Sequence, residues 1–174
     1  MPIRLFGHKG VGPQASGEAL VAADNFSARY DLDRGKGIFS RPSHKLFGES
    51  YVGRILVLDT AKGGVASAWM LREMKERGIV PLGFIFNRVN PILAQGAAFA
   101  GLPMVDRFDG DVTTLFRTGD TLRIDPAAGL VEILNRDAGS PQPRRIRDGE
   151  TDASRGEDQA WEAASSEAIA RDPE

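Results

Sequence analysis

The stretch RILVLD, residues 54–59, runs without a break into TAKGGVASAWMLREMKERG and then, from Val80, into VPLGFIF. No other feature of the chain constrains its fold as much. The first segment is a continuous run of leucine and β-branched residues, the pattern of a strand buried on both faces. From Val65 the apolar residues recur as Val65, Ala68, Trp69, Leu71 and Met74, with Arg72, Glu73, Lys75, Glu76 and Arg77 largely opposite. That spacing, close to one helical turn, predicts an amphipathic helix whose apolar stripe faces the core, stopped by Gly78. VPLGFIF over 80–86 repeats the buried-strand pattern. Strand, helix and strand in this order imply a parallel pair joined by a right-handed crossover, and so an α/β chain.

The flanks extend this unit. Asn90 caps a second predicted helix with Pro91 at its first position, running through ILAQGAAFA to Gly101. LPMVD (102–106) reads as a further short strand, and FDGDVTTLF adds a helical turn. DTLRID and LVEIL, joined by PAAG, predict a C-terminal hairpin. Upstream, the apolar run in GEALVAADN and the IFS after Gly37 read as strands, whereas GHKGVG (7–12) reads as a flexible, glycine-rich start.

Charge divides the chain. Residues 137–174 carry 5 Lys+Arg against 10 Asp+Glu, and the preceding 136 carry 17 against 14, so a body of +3 precedes a tail of −5. The expected organisation is a folded domain over 1–136 and an acidic, disordered tail over 137–174, in which 157–171 forms at most a transient helix or a docking segment. A mildly basic body suits a small anionic ligand better than a nucleic-acid duplex. The chain has no cysteine, which excludes disulfides and Cys-held metal within it and fits a cytoplasmic protein. No apolar run is long enough to suggest a membrane span, and MPIRLFGHKG lacks the pattern of a signal peptide.

Chemistry concentrates at the strand–helix junction. A glycine turn opening a helix offers unpaired backbone N–H groups and the positive end of the helix dipole, and Gly63 and Gly64 let an anion approach closely. Lys62 adds a positive charge. A tight turn without ligand fits the same residues, because neither a P-loop nor GxGxxG is present. His44 lies among Arg41, Ser43, Lys45 and Glu49, equally compatible with a solvated loop. His8 and His44 do not form a metal pair by spacing. Asp31 and Asp33 in YDLDRGKG read as a turn as much as an acid–base pair, and Ser67 in GVASAW is no nucleophile elbow. An anion cradle at 60–67 without a self-sufficient catalytic set suits half of a composite site.

Taken together, the opening GEAL, the Gly37 strand followed by His44 and Gly48, the GRILVL strand, the glycine turn and helix, the Pro81 strand and NPILAQGA…GLPMV resemble the swivelling domain of the aconitase X family over residues 17–134. The resemblance implies a swivelling β/β/α fold, a barrel-like sheet with flanking helices. It implies a small subunit, inactive alone, that completes the active site of a larger catalytic subunit holding an iron or iron–sulfur centre. It implies a hydro-lyase acting on a small hydroxy acid such as mevalonate 5-phosphate or cis-3-hydroxy-L-proline. Carried onto this chain, it gives Ser67 and His44 as catalytic candidates, and Lys62, Gly63, Gly64 and Arg41 as substrate contacts, with no metal ligand. The family commonly has a serine after the first glycine of the turn, where this chain has Gly64. That departure keeps a second expectation open, a non-catalytic anion-binding or regulatory subunit. A third, a phosphocarrier with His44 as acceptor, rests on fold analogy.

Overall fold

Along Ile55–Thr60 (β5) successive side chains point to opposite faces, and both faces are apolar. Ile55 and Val57 join Ile85, Val105, Ile124 and Val131 in one buried cluster, while Leu56 and Leu58 join Phe84, Phe86, Leu71 and Leu93 in another. A strand buried on both sides must lie inside a layered structure, each such side chain contributing about 1.5–3 kcal/mol of burial. The structure, a computed structural model, describes residues 1–136. The expected tail over 137–174 lies outside the described residues.

The other strands are Ile3–Phe6 (β1), Ala15–Val21 (β2), Gly83–Arg88 (β6), Met104–Asp106 (β7), Thr121–Asp125 (β8) and Leu130–Asn135 (β9), and Leu32–Asp33 (β3) pairs with Ile38–Phe39 (β4) in a separate small hairpin. The main sheet has the order β1-β9-β8-β2-β5-β6-β7. β2 spans its two halves: Ala15 to Glu18 pair antiparallel with β8, and Ala19 to Val21 pair parallel with β5. From β5 to β7 the strands are parallel, so their carboxyl ends emerge side by side. The predicted strand over 80–86 begins later, at Gly83, because Pro81 cannot donate to a ladder.

The glycine-rich start is not a loose segment. β1 pairs with β9, and the chain then crosses to the opposite edge, where Val11 and Met104 exchange backbone hydrogen bonds of 3.0 Å and His8 N–H donates to the Asp106 carbonyl at 2.9 Å. The N-terminal segment thus joins both edges of the sheet and gives it the expected barrel-like closure, removing unpaired edge groups. Close approach explains the glycines: a Cβ on Gly10 would lie 2.0 Å from the Met104 carbonyl oxygen.

Helices Val65–Arg77 (α1) and Pro91–Ala100 (α2) cover one face, and the short helix Val112–Leu115 (α3) closes the other cluster. Both long helices end where predicted, on Gly78 and Gly101 in left-handed conformation, and the Asn90 side chain accepts from Leu93 N–H at 2.9 Å as its cap. The buried face of α1 differs from the expected one. Ser67, Leu71 and Met74 meet the sheet, whereas Val65 and Trp69 are exposed. They flank a groove of about 320 Å³ between α1 and α2, with Ile92 and Phe99 on its other side.

Glu132 fixes the β1–β9–β8 side of the sheet. It is buried and accepts from Arg4 at 2.8 Å and from Arg123. The Arg4 hydrogen bond, with help from Arg123 and against the effect of burial, holds its carboxyl below the usual value of 4.5. A lowered folded pKa contributes stability that is complete above the unfolded value and is lost as pH falls through the folded one. Thermal midpoints are therefore expected to hold between about pH 5 and 7 and to fall below about pH 4, more steeply in the parent than in Glu132→Gln. Equal slopes in the two proteins would remove Glu132 from the acid transition.

Candidate active site

Three loops follow the carboxyl ends of the parallel strands: 61–64 after β5, 89–90 after β6 and 107–111 after β7. In open parallel sheets ligands bind at this end. The first loop carries the glycine turn, and neighbours hold it on three sides. Ala61 N–H donates to the Arg88 carbonyl at 3.1 Å, Lys62 N–H to the Phe26 carbonyl at 2.7 Å, and Asn90 Nδ2 to the Gly63 carbonyl at 2.9 Å. Asn90 thereby caps α2 and anchors the turn that opens α1.

Gly63 and Gly64 are not equivalent. Gly63 has φ +124°, and a Cβ there would fall 2.3 Å from Ser67 Oγ and 2.7 Å from Ser67 Cβ. At Gly64, with φ −115°, a Cβ would meet nothing within 4 Å. Gly63 is thus required by backbone and packing, whereas Gly64 opens outward. Among the described residues no side chain caps α1, and no acidic residue stands in its first turn.

The sequence-predicted residues separate. Lys62, Gly63 and Gly64 form the turn, and Ser67 lies buried beneath it, its hydroxyl against Gly63. His44 and Arg41 belong to the adjoining 22–50 region. The His44 side chain is fully buried and stacks on Phe39 at 4.6 Å between ring centroids. Its Nδ1 accepts from Leu46 N–H at 3.0 Å and its Nε2 lies 2.9 Å from the Asn25 carbonyl, which fixes the proton on Nε2. Both ring nitrogens are thus engaged and the ring is out of solvent. Arg41 Nε donates to buried Asp31 at 2.6 Å and its Nη1 to Ser43 at 2.9 Å. Asp31 in turn accepts from Ser27 N–H at 2.7 Å, so it is a buried ion-pair partner beyond the turn residue expected. This network braces the Asp24–Phe26 segment that touches the turn through Lys62.

Sequence reading passed over a second group on the same face. Asn87 Nδ2 bridges Asp59 and Asp111 at 2.9 Å each, and its Oδ1 accepts from Val112 N–H at the start of α3. Burial raises the Asp111 pKa, but the Asn87 and Thr113 hydrogen bonds outweigh it and hold the carboxyl below 3.8. Beside them Asn87, Arg88, Arg107, Phe108, Gly110 and Asp111 line a polar concavity of about 670 Å³. Arg107 is the one described non-glycine residue with positive φ, +58°. That conformation costs an ordinary residue about 1–2 kcal/mol and clusters at functional sites. The usable signal was positional: NRVN and DRFD follow strands at their carboxyl ends.

Comparison with known proteins places the chain in a family. A family model described as the aconitase X swivel domain matches residues 4–133, from the closing strand β1 to β9. The chain belongs to the aconitase X swivel domain family. Relatives named phosphomevalonate dehydratase small subunit include one from Methanocella arvoryzae, 31% identical over 75% of this chain and 99% of its own, and one from Methanococcoides burtonii, 33% identical over 70% and 89%. The crystal structure of Thermococcus kodakaraensis aconitase X in its holo-form contains a chain with TM-score 0.70 and 32% identity, covering 76% of this chain and 99% of that one. The expected swivelling architecture is therefore the observed one. In this swivel domain the glycine turn, the Asn90 anchor and the arginine-lined concavity share one face. No helix among the described residues is long and apolar enough to cross a membrane.

Proposed function

We propose that this chain is the small subunit of a phosphomevalonate dehydratase and completes, with the face bearing Gly63, the active site of a larger catalytic subunit. The observation that carries this is the near full-length match to relatives of that name, 99% of one of them, combined with an uncapped helix N-terminus at an outward-facing glycine turn. Dehydration of such a hydroxy acid removes a proton from the carbon next to the carboxylate and hydroxide from the neighbouring carbon. A double bond forms and water leaves. The turn's N–H groups would hold the carboxylate and Lys62 would add charge, both favouring the electron-rich state that develops as the proton departs.

An iron or iron–sulfur centre, in this reading, belongs to the larger subunit. The residues here do not fit one: the chain has no cysteine, and among the described residues no group of three His, Cys, Asp or Glu is placed to hold a metal ion. Of the expected substrates, mevalonate 5-phosphate follows from the relatives' names. The missing hydroxyl at Gly64 favours a second reading, in which the subunit binds an anion without taking part in turnover.

Co-expression with the larger subunit, assayed on mevalonate 5-phosphate, separates the two. Turnover should require both chains, and Lys62→Ala in the complex should lower kcat/KM about 10–100-fold, the loss of one charge-assisted contact. Full turnover by the larger subunit alone would establish the regulatory reading instead. The catalytic assignment of Ser67 is tested in the same assay. A loss of about 100-fold in kcat for Ser67→Ala with KM unchanged supports proton transfer, and a change below about threefold reduces it to packing beneath Gly63.

A further inference from the structure

We infer that Arg88 and Arg107 form a phosphomonoester site, separate from the glycine turn, that holds the phosphate end of the substrate; this rests on the reading above. Arg88 is the last residue of β6, paired in register with Thr60 of β5, and its carbonyl holds Ala61. Its side chain is exposed, lines the concavity and has no hydrogen-bond or ion-pair partner among the described residues. Arg107 opens the next loop and lines the same concavity. Its only described ion pair is a long one, 3.6 Å to Asp106 on its own backbone neighbour. Its left-handed backbone is held by a hydrogen bond from its N–H to the Asn87 carbonyl at 3.2 Å. A strained residue kept in place by the adjacent strand, with a loosely held guanidinium, is what a preorganised anion contact requires.

Three of the nearby carboxylates, which keep their charge, accept hydrogen bonds from within the fold. Asp111 accepts from Asn87, Thr113 N–H and Thr113 Oγ1, Asp59 accepts from Asn87, and Asp106 accepts from Val89 N–H. Asn87 spends both amide hydrogens on two of them, so among the lining side chains the donors left are the two guanidiniums. Forked guanidiniums recognise the oxygens of a phosphomonoester better than a lone ammonium does. Because Arg88 adjoins the turn through Ala61, one face offers a carboxylate contact at Gly63–Gly64 and a phosphate contact one loop away. A hydroxy acid phosphorylated at its far end matches that pair of contacts.

The test has two arms. In the isolated full-length chain, inorganic phosphate should shift the side-chain Nε–H resonances of Arg88 and Arg107 saturably. Arg88→Gln and Arg107→Asn should abolish the shifts; asparagine tolerates the left-handed backbone, so folding is retained. In the complex, each variant should raise KM for mevalonate 5-phosphate at least about tenfold. It should leave the inhibition constant of the unphosphorylated acid within about twofold, which a merely structural defect would not do. Phosphate shifts elsewhere, or parallel losses for both acids, would overturn the site. A complex that ignores mevalonate 5-phosphate refutes the proposed function, while the first arm still decides the anion site.

Discussion

Asp120→Ala is expected to lower the unfolding free energy by about 2–3 kcal/mol. Asp120 is 1% exposed. Its carboxylate accepts from Arg117 N–H at 2.9 Å and from both Nε and Nη2 of Arg136, the latter at 2.9 Å. Arg136 Nη2 also donates to the Leu115 carbonyl at 2.8 Å, so one ion pair ties the end of β9 to α3 and to the turn entering β8. Removing the carboxylate leaves a turn N–H without its acceptor and a half-buried guanidinium with the Leu115 carbonyl alone. Arg136 keeps contact with solvent, which places the loss at the low end for a broken buried pair. Exposed pairs such as Arg72–Glu76, at 3.0 Å on one helix face, should cost only about 0.3–0.5 kcal/mol when broken. Urea unfolding at neutral pH checks both. Asp120→Asn should lose less, and Asp120→Ala with Arg136→Ala should lose less than the two single losses added. A loss below 1 kcal/mol for Asp120→Ala would show that the pair is screened like a surface one.

Such long-range ties mark the limit of what could be read from the sequence. Features set by local chemistry were legible. Gly78 and Gly101 ended their helices, Asn90 and Pro91 began one, and PAAG joined a hairpin, because caps and turns depend on a few adjacent residues. The parallel core was legible because strands buried on both faces need continuous apolar runs. Sheet closure was not. β1 has four residues, mostly exposed, and its partners lie at the far end of the sequence, so GHKGVG looked flexible when its glycines serve close backbone approach. The face of α1 was misjudged because Val65 and Trp69 satisfy helical periodicity while turned from the sheet.

The site divided in the same way. The turn showed itself through glycine spacing, and the family resemblance extended it to a function. The role of His44 depended on burial and on partners at Asn25 and Leu46, one of them 19 residues away. Arg88 and Arg107 looked like ordinary basic residues until the parallel register set them at adjacent strand ends.

Gly63→Ala is expected to lower kcat/KM of the assembled enzyme at least about 100-fold, whereas Gly64→Ser should fold as well as the parent. The added methyl at Gly63 meets Ser67 Oγ at 2.3 Å and must adopt φ +124°. The backbone term costs about 1–2 kcal/mol and forced packing about 1–3 kcal/mol, so the turn will reshape rather than bear both. Reshaping would swing the N–H groups away from the carboxylate that the proposed function places there, and a contact made by backbone has no side chain to compensate. Pairing Gly63→Ala with Ser67→Gly removes the clash but not the unfavourable φ, so the double variant should recover part of the lost stability. Failure to recover any would assign the whole effect to the backbone. Gly64 lacks both restraints, and serine there changes stability by only a few tenths of a kcal/mol. Its hydroxyl would point outward from the turn, where the family commonly carries one. If proton transfer in this enzyme is limited by the missing hydroxyl, Gly64→Ser should raise kcat about tenfold or more with KM little changed. An unchanged kcat would show that the proton is moved by another group, on Ser67 or on the larger subunit. Unaltered kinetics for Gly63→Ala would remove the turn from the active site altogether.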